Sequence, residues 1–213
     1  MVFGANSGWL WLLPALAIAG VDWWAVHGDH PRWEEKAKPM VMVALIGACG
    51  GLGTGSIGLT LFMVSGLVFG LVGDVMLLPR VDNFIGGLAA FLVGHLAFLF
   101  GLVSIMTPGV AMGVGAIAGL ILMGSLGRRV LAGVWAGPLA VPVAAYMATV
   151  AGVVVVGWGT GRWPIGVGVS LFALSDGILG LDRFVTGRSD RRVVVHILYH
   201  LGQAAIVAGV VVG

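Results

Sequence analysis

Two aspartates stand alone in apolar surroundings in this 213-residue chain, Asp74 in Phe69-Gly-Leu-Val-Gly-Asp74-Val-Met-Leu-Leu78 and Asp176 in Phe172-Ala-Leu-Ser-Asp176-Gly-Ile-Leu-Gly-Leu181. Each has an aromatic upstream, a small residue just before it and a Leu three residues after it. A charge at membrane depth costs a few kcal/mol or more, so such groups face the bundle interior and carry function by default. Two carboxylates that meet in a desolvated site repel, leaving one acid that keeps its proton beside one anion. That pairing is the usual basis of carboxylate acid/base chemistry. The structural alternative is that each aspartate only glues two helices through a Ser, Tyr or backbone group.

Other polar residues in apolar stretches widen the candidate set. His95 follows Gly94, and Tyr146 lies within a later apolar run. Tyr199 and Gln203 stand one helical turn apart and share a face. His196 and His200 have the same spacing, which resembles a pair of metal ligands. No third ligand accompanies them in that stretch, so neither a metal nor any other cofactor is expected. Lys38 could snorkel to the headgroups or pair with a phosphate or carboxylate. Arg183, seven residues after Asp176, could fold back toward a phosphate. Asp22, among Trp23, Trp24 and His27, reads as an interfacial residue of an aromatic belt.

The elements that must position these groups are membrane helices. The chain is 59% hydrophobic and 9% charged, has 37 glycines, and has a mean hydropathy of +1.08, whereas a soluble domain carries roughly 25% charged residues. No nucleic-acid partner is expected: the few basic residues sit in short loops, where they set topology. Cys49 is the only cysteine, so no internal disulfide or cysteine-based metal site can form. A span needs about 20 apolar residues, and eight are expected at 8–27, 39–54, 58–78, 84–105, 109–126, 138–157, 163–181 and 192–212. This predicts an all-α, polytopic bundle forming a single transmembrane domain over 1–213.

Of the eleven Lys and Arg residues, only Arg162 falls on the face opposite the loops after spans one, three, five and seven. The positive-inside rule then places those loops in the cytoplasm and both termini outside. The small Gly/Val-rich chain favours a bacterial plasma membrane. The matching aspartates suggest a four-plus-four repeat, about 1–105 and 106–213. Pro39 and Pro138 open the second span of each half, and Phe84 and Phe184 follow the aspartates. Such a repeat keeps both halves in one orientation. At 1.5 Å per residue both carboxylates lie roughly 6–8 Å inside the cytoplasmic boundary. His95, Tyr146 and His200 fall slightly deeper, which places the site in the cytoplasmic half.

Lys38-Pro39, Gly73-Asp74-x-x-Leu77, Phe84-x-x-Gly87-x-x-x-Phe91-x-x-Gly94-His95, Ser175-Asp176-x-x-Leu179 with Arg183-Phe184, and Tyr199-x-x-x-Gln203 together resemble the YhhN-like, or lysoplasmalogenase, family. The resemblance runs from about Lys38 to Gln203; Phe98 and His200 depart from its usual residues. It implies an eight-span enzyme that hydrolyses the vinyl-ether bond of a lysoplasmalogen to a fatty aldehyde and a glycerophospho-alcohol. Asp74 and Asp176 would be catalytic. Lys38, His95, Tyr146, Arg183, Tyr199, His200 and Gln203 would hold substrate or water. The implied partners are a lysophospholipid and the bilayer, with the oligomeric state left open. The competing readings are a proton-coupled transporter of a small molecule or lipid, a headgroup-binding membrane protein, and a hydrolase of some other ether lipid.

Overall fold

A computed structural model describes residues 12–212. Among these residues all regular structure is helical, in eight continuous helices: α1 Leu13–His27, α2 Pro31–Leu52, α3 Ile57–Met76, α4 Phe84–Val103, α5 Val110–Val134, α6 Ala140–Gly159, α7 Trp163–Thr186 and α8 Arg192–Val211. The helices from α3 to α8 are each long and apolar enough to cross a membrane. The part of the first expected span before Leu12 lies outside the described residues. Large apolar side chains such as Ile57, Leu120 and Val141 are exposed on the outer surface, as a bundle that meets lipid instead of water requires.

Three element boundaries differ from the sequence expectation by five residues or more, the start of α2 and the ends of α5 and α7. Pro39 does not open the second helix: α2 starts eight residues earlier, with Pro31 in its first turn and Pro39 inside the helix. Pro31 is preorganised for a helix start, and the charged stretch that follows is held by tertiary partners, since Arg192 Nη2 donates to both Glu34 carboxylate oxygens at 2.7 Å. The fifth helix passes through Arg128 and Arg129, expected in a loop, and ends at Val134. It does so through a π turn at Met123–Gly127, and α7 ends in another at Asp182–Thr186.

The closest packing is within two hairpins, α3 with α4 and α7 with α8. Both rest on glycines at the same distance from an aspartate. Gly66 lies eight residues before Asp74 and Gly168 eight before Asp176. A Cβ on Gly94 of α4 would stand 3.0 Å from the Gly66 carbonyl oxygen, and one on Gly168 would stand 2.7 Å from that of Gly202 on α8. Close backbone approach through small residues is how membrane helices gain packing energy without a hydrophobic drive between them. Between hairpins, α4 packs on α6, and α8 packs on α1 and α2. Phe84 and Phe184 meet edge to face at 5.3 Å.

A β-branched residue at Gly168 would collide with the α8 backbone, which cannot move like a flexible side chain. Gly168→Val should therefore lower stability by about 1–3 kcal/mol or more, read as a lower thermal midpoint in detergent. Gly124→Ala, with open space at its Cβ, is the matched control and should leave the midpoint unchanged.

Candidate active site

Asp74 and Asp176 are both inside the bundle, and each is held by residues of two other helices. Asp74, near the end of α3, is 1% exposed. The Tyr199 hydroxyl of α8 donates to its Oδ2 at 2.8 Å, and the Lys38 ammonium of α2 stands 3.3 Å from its Oδ1. A buried carboxylate with a cation and a hydroxyl donor around it is organised as an anion. Lys38 thus lies in the protein interior, 9% exposed at its side chain, and its partner is Asp74.

Asp176 of α7 has a different environment. The Tyr146 hydroxyl of α6 donates to its Oδ2 at 2.6 Å, and His95 Nε2 of α4 stands 3.5 Å from the same oxygen. No Lys or Arg pairs with it among the described residues. His95 Nδ1 lies 2.8 Å from the Phe91 carbonyl oxygen. The ring is enclosed by Tyr146 at 5.3 Å and Phe172 at 4.5 Å. Phe172 also meets Tyr199 edge-on at 5.2 Å, so the aromatic series His95–Phe172–Tyr199 joins the two carboxylate environments.

Gln203, one turn beyond Tyr199 on α8, is fully buried, and a Cβ on Gly70 of α3 would stand 3.7 Å from its amide nitrogen. Its amide has no hydrogen-bond partner among the described residues, and Asp74 Oδ1 has only the Lys38 ammonium beside it. These polar atoms are available to a water or a substrate oxygen.

A second polar cluster adjoins the first and corrects the reading of Asp22. That residue is not interfacial; it is 0% exposed. Its Oδ2 lies 2.7 Å from His196 Nδ1 and 3.7 Å from His200 Nδ1, and the Trp23 indole N–H donates to His200 Nδ1 at 3.2 Å. His200 therefore belongs with α1, while its neighbour Tyr199 serves Asp74. Asp22 and Glu34 are interior polar residues that sequence reasoning missed, together with the half-exposed Arg192 that pairs with Glu34. The signal was available for Asp22, as a third ionisable group in an apolar stretch, but the flanking Trp23, Trp24 and His27 resemble an interface.

Asp176 also lines a groove of about 800 Å³, its open mouth included. Leu77, Phe91, Leu126, Val150 and Phe184 line it in turn from α3 round to α7, and its wall is otherwise almost wholly apolar. Arg183 does not reach either aspartate. It is exposed, and its guanidinium lies over the Phe84 ring, 4.8 Å from the centroid, at a residue that itself lines the groove. In the loop that follows α7, Arg188 chelates Asp190 at 2.8 and 2.5 Å and pulls its carboxyl down to about 2. Both groups are exposed, so that pair contributes little to stability.

The six apolar helices and the buried ionisable clusters define a multi-pass membrane protein with a polar site inside its bundle. Within that class, the YhhN family model matches residues 33–210, and the chain belongs to the YhhN family. No curated protein and no solved structure matches it.

Removing one partner of a buried ion pair leaves an uncompensated charge. Lys38→Met should destabilise the protein by about 3–5 kcal/mol, measured by denaturation in detergent. Lys38→Met combined with Asp74→Leu should recover much of that loss; a double variant as unstable as the sum of the single ones would mean the two side chains do not interact.

Proposed function

We propose that this protein is a membrane-embedded hydrolase that cleaves the vinyl-ether bond of a lysoplasmalogen or a related ether lysophospholipid. The products are a fatty aldehyde and a glycerophospho-alcohol. The observation that carries this reading is the pair of unlike buried carboxylates, one of them at the wall of an apolar groove. Vinyl-ether hydrolysis begins with a proton added to the β-carbon, which leaves an oxocarbenium ion that water captures. It needs an acid, an anion near the developing positive charge and a base for the water, and two carboxylates can supply all three, as in glycoside hydrolysis. YhhN membership and the residues shared with that family support the same activity.

The single alkyl chain of a lysolipid suits the groove between α4 and α5, two helices that do not pack closely on each other. Arg183, beside Phe84 on the loop side of the groove, is the group we assign to the phosphate. Gln203 and Asp74 Oδ1 hold the water. In this reading all eight helices span the bilayer as one domain, the basic loops and the site lie on the cytoplasmic side, and both termini face out. The matched glycines support an internal repeat, as does the exchange of partners: α3 takes Tyr199 from the last helix of the second half, and α7 faces His95 from the last helix of the first. The Asp22–His196–His200 cluster favours a second reading, a proton-coupled transporter, because buried carboxylates and histidines in series are the parts of proton relays.

The deciding experiment incubates the purified protein in detergent with a lysoplasmalogen and measures released fatty aldehyde. Asp74→Asn and Asp176→Asn should each lower turnover by about 10²-fold or more while the proteins stay folded. No aldehyde from a folded wild type, together with substrate-driven proton uptake in liposomes, would replace hydrolysis by transport. Val150→Phe, which narrows the groove one turn from Tyr146, should reduce kcat/KM for long chains relative to short ones by about 10-fold or more, read from competition between two chain lengths.

A further inference from the structure

The hydrogen-bond chemistry around His95 distinguishes the two aspartates. A backbone carbonyl only accepts, so the 2.8 Å contact between His95 Nδ1 and the Phe91 oxygen requires the proton to be on Nδ1. In the neutral ring Nε2 then carries a lone pair, and it stands 3.5 Å from Asp176 Oδ2. The Tyr146 hydroxyl donates to that same oxygen, so it brings no proton to the gap between Oδ2 and Nε2. An ionised Asp176 would place two electron-rich atoms face to face in the bundle interior, with no Lys or Arg beside them among the described residues. One proton between Oδ2 and Nε2 removes that conflict. Asp74 shows the opposite arrangement, with the Lys38 cation and the Tyr199 donor on its two oxygens.

We propose that Asp176, backed by the Nε2 lone pair of His95, is the proton-carrying acid of the site, and that Asp74 is its anion and base. The role, though not the proton, rests on the hydrolase reading above. Burial favours the neutral acid–imidazole form over a charged pair, because an ion pair in low dielectric must recover two desolvation costs. Asp176 is also the aspartate that lines the groove, and its side chain is 13% exposed against 1% for Asp74. The proton donor therefore faces the place where the alkyl chain, and with it the β-carbon, would lie.

The assignment gives a cycle in which atoms and protons balance. The Asp176 O–H bond breaks as the alkene electrons form a C–H bond at the β-carbon, and the ether oxygen lone pair makes the oxocarbenium ion. Water adds to that cation, forming a C–O bond, and its proton passes to Asp74. The hemiacetal then collapses: Asp74 returns the proton to the ether oxygen as that C–O bond breaks, and the hemiacetal hydroxyl gives its proton to Asp176. One water is consumed, no proton crosses the protein boundary, and Asp176 is again the acid. His95 acts through Asp176 as a positioning residue and does not touch substrate.

Infrared difference spectra test this without turnover. At neutral pH the wild type should show the carbonyl band of a protonated carboxylic acid that Asp176→Asn removes and Asp74→Asn keeps. A band that vanishes in Asp74→Asn and persists in Asp176→Asn would overturn the assignment, as would an imidazolium signature for His95 with no acid band from Asp176. His95→Phe keeps a ring between Tyr146 and Phe172; it should lower kcat by about 10–100-fold with KM little changed and should alter the pH profile of kcat. An unchanged pH profile and kcat would reduce His95 to a packing residue and overturn its part. The two readings fail separately: a wild type with the Asp176 band but no aldehyde release loses the hydrolase and keeps the proton, whereas aldehyde release with no such band does the reverse.

Discussion

A carboxylate in the interior of a lipid-facing bundle has no solvent to turn to, so the neighbouring helices must supply every partner it has. That constraint organises the structure around Asp74 and Asp176. Asp74 draws Lys38 and Tyr199 to one point, and Asp176 draws Tyr146 and His95 to another. Six helices are committed to one arrangement by two side chains, because α2, α3 and α8 meet at the first aspartate and α4, α6 and α7 converge at the second. The glycine contacts beneath each hairpin make that convergence possible. Bulkier residues at Gly94 or Gly168 would hold the backbones too far apart for the polar side chains to reach one another.

The environments also differ in the way chemistry requires. The two aspartates occupy comparable positions in their hairpins, yet a lysine stands against one and a histidine with its proton turned away stands against the other. In the proposed assignment, unequal protonation follows from the neighbours each helix pair was given, not from the aspartates themselves. This is the familiar logic by which two identical groups take different roles in one site.

Much of this was legible in the sequence because an ionisable residue within an apolar run has few explanations. Asp74, Asp176, His95, Tyr146 and Tyr199 all stand out for that reason, and the structure brings each of them into contact with an aspartate or is itself one. What was hidden depends on rotation and on partners remote in sequence. Asp22 sits in the same Trp-rich context whether its helix lies at the rim or turns that face inward; only the approach of His196 and His200, over 170 residues away, settles which. Arg183 has a suitable spacing from Asp176, but the π turn that ends α7 carries it toward Phe84. Pro39 looked like a boundary since proline so often marks one, while Pro31 had already started the helix. Glu34 and Arg192 looked like ordinary loop charges until α2 and α8 placed them together.

Tyr199 and His200 are adjacent residues on α8, so their side chains leave the helix about 100° apart. One is fastened to α3 through Asp74, and the other stands beside α1 through Trp23 and Asp22. The two attachments together fix the rotational phase of α8 about its own axis, as two keys on one shaft would. A turn of the helix that tightened one would loosen the other. A one-residue deletion near the loop end of α8 would cost more than its lost contacts, because it would swing Arg192 and His196 out of phase with the pair beyond them. Two neighbouring side chains thereby make the orientation of α8 a property shared by α1 and α3, helices that do not pack closely on one another.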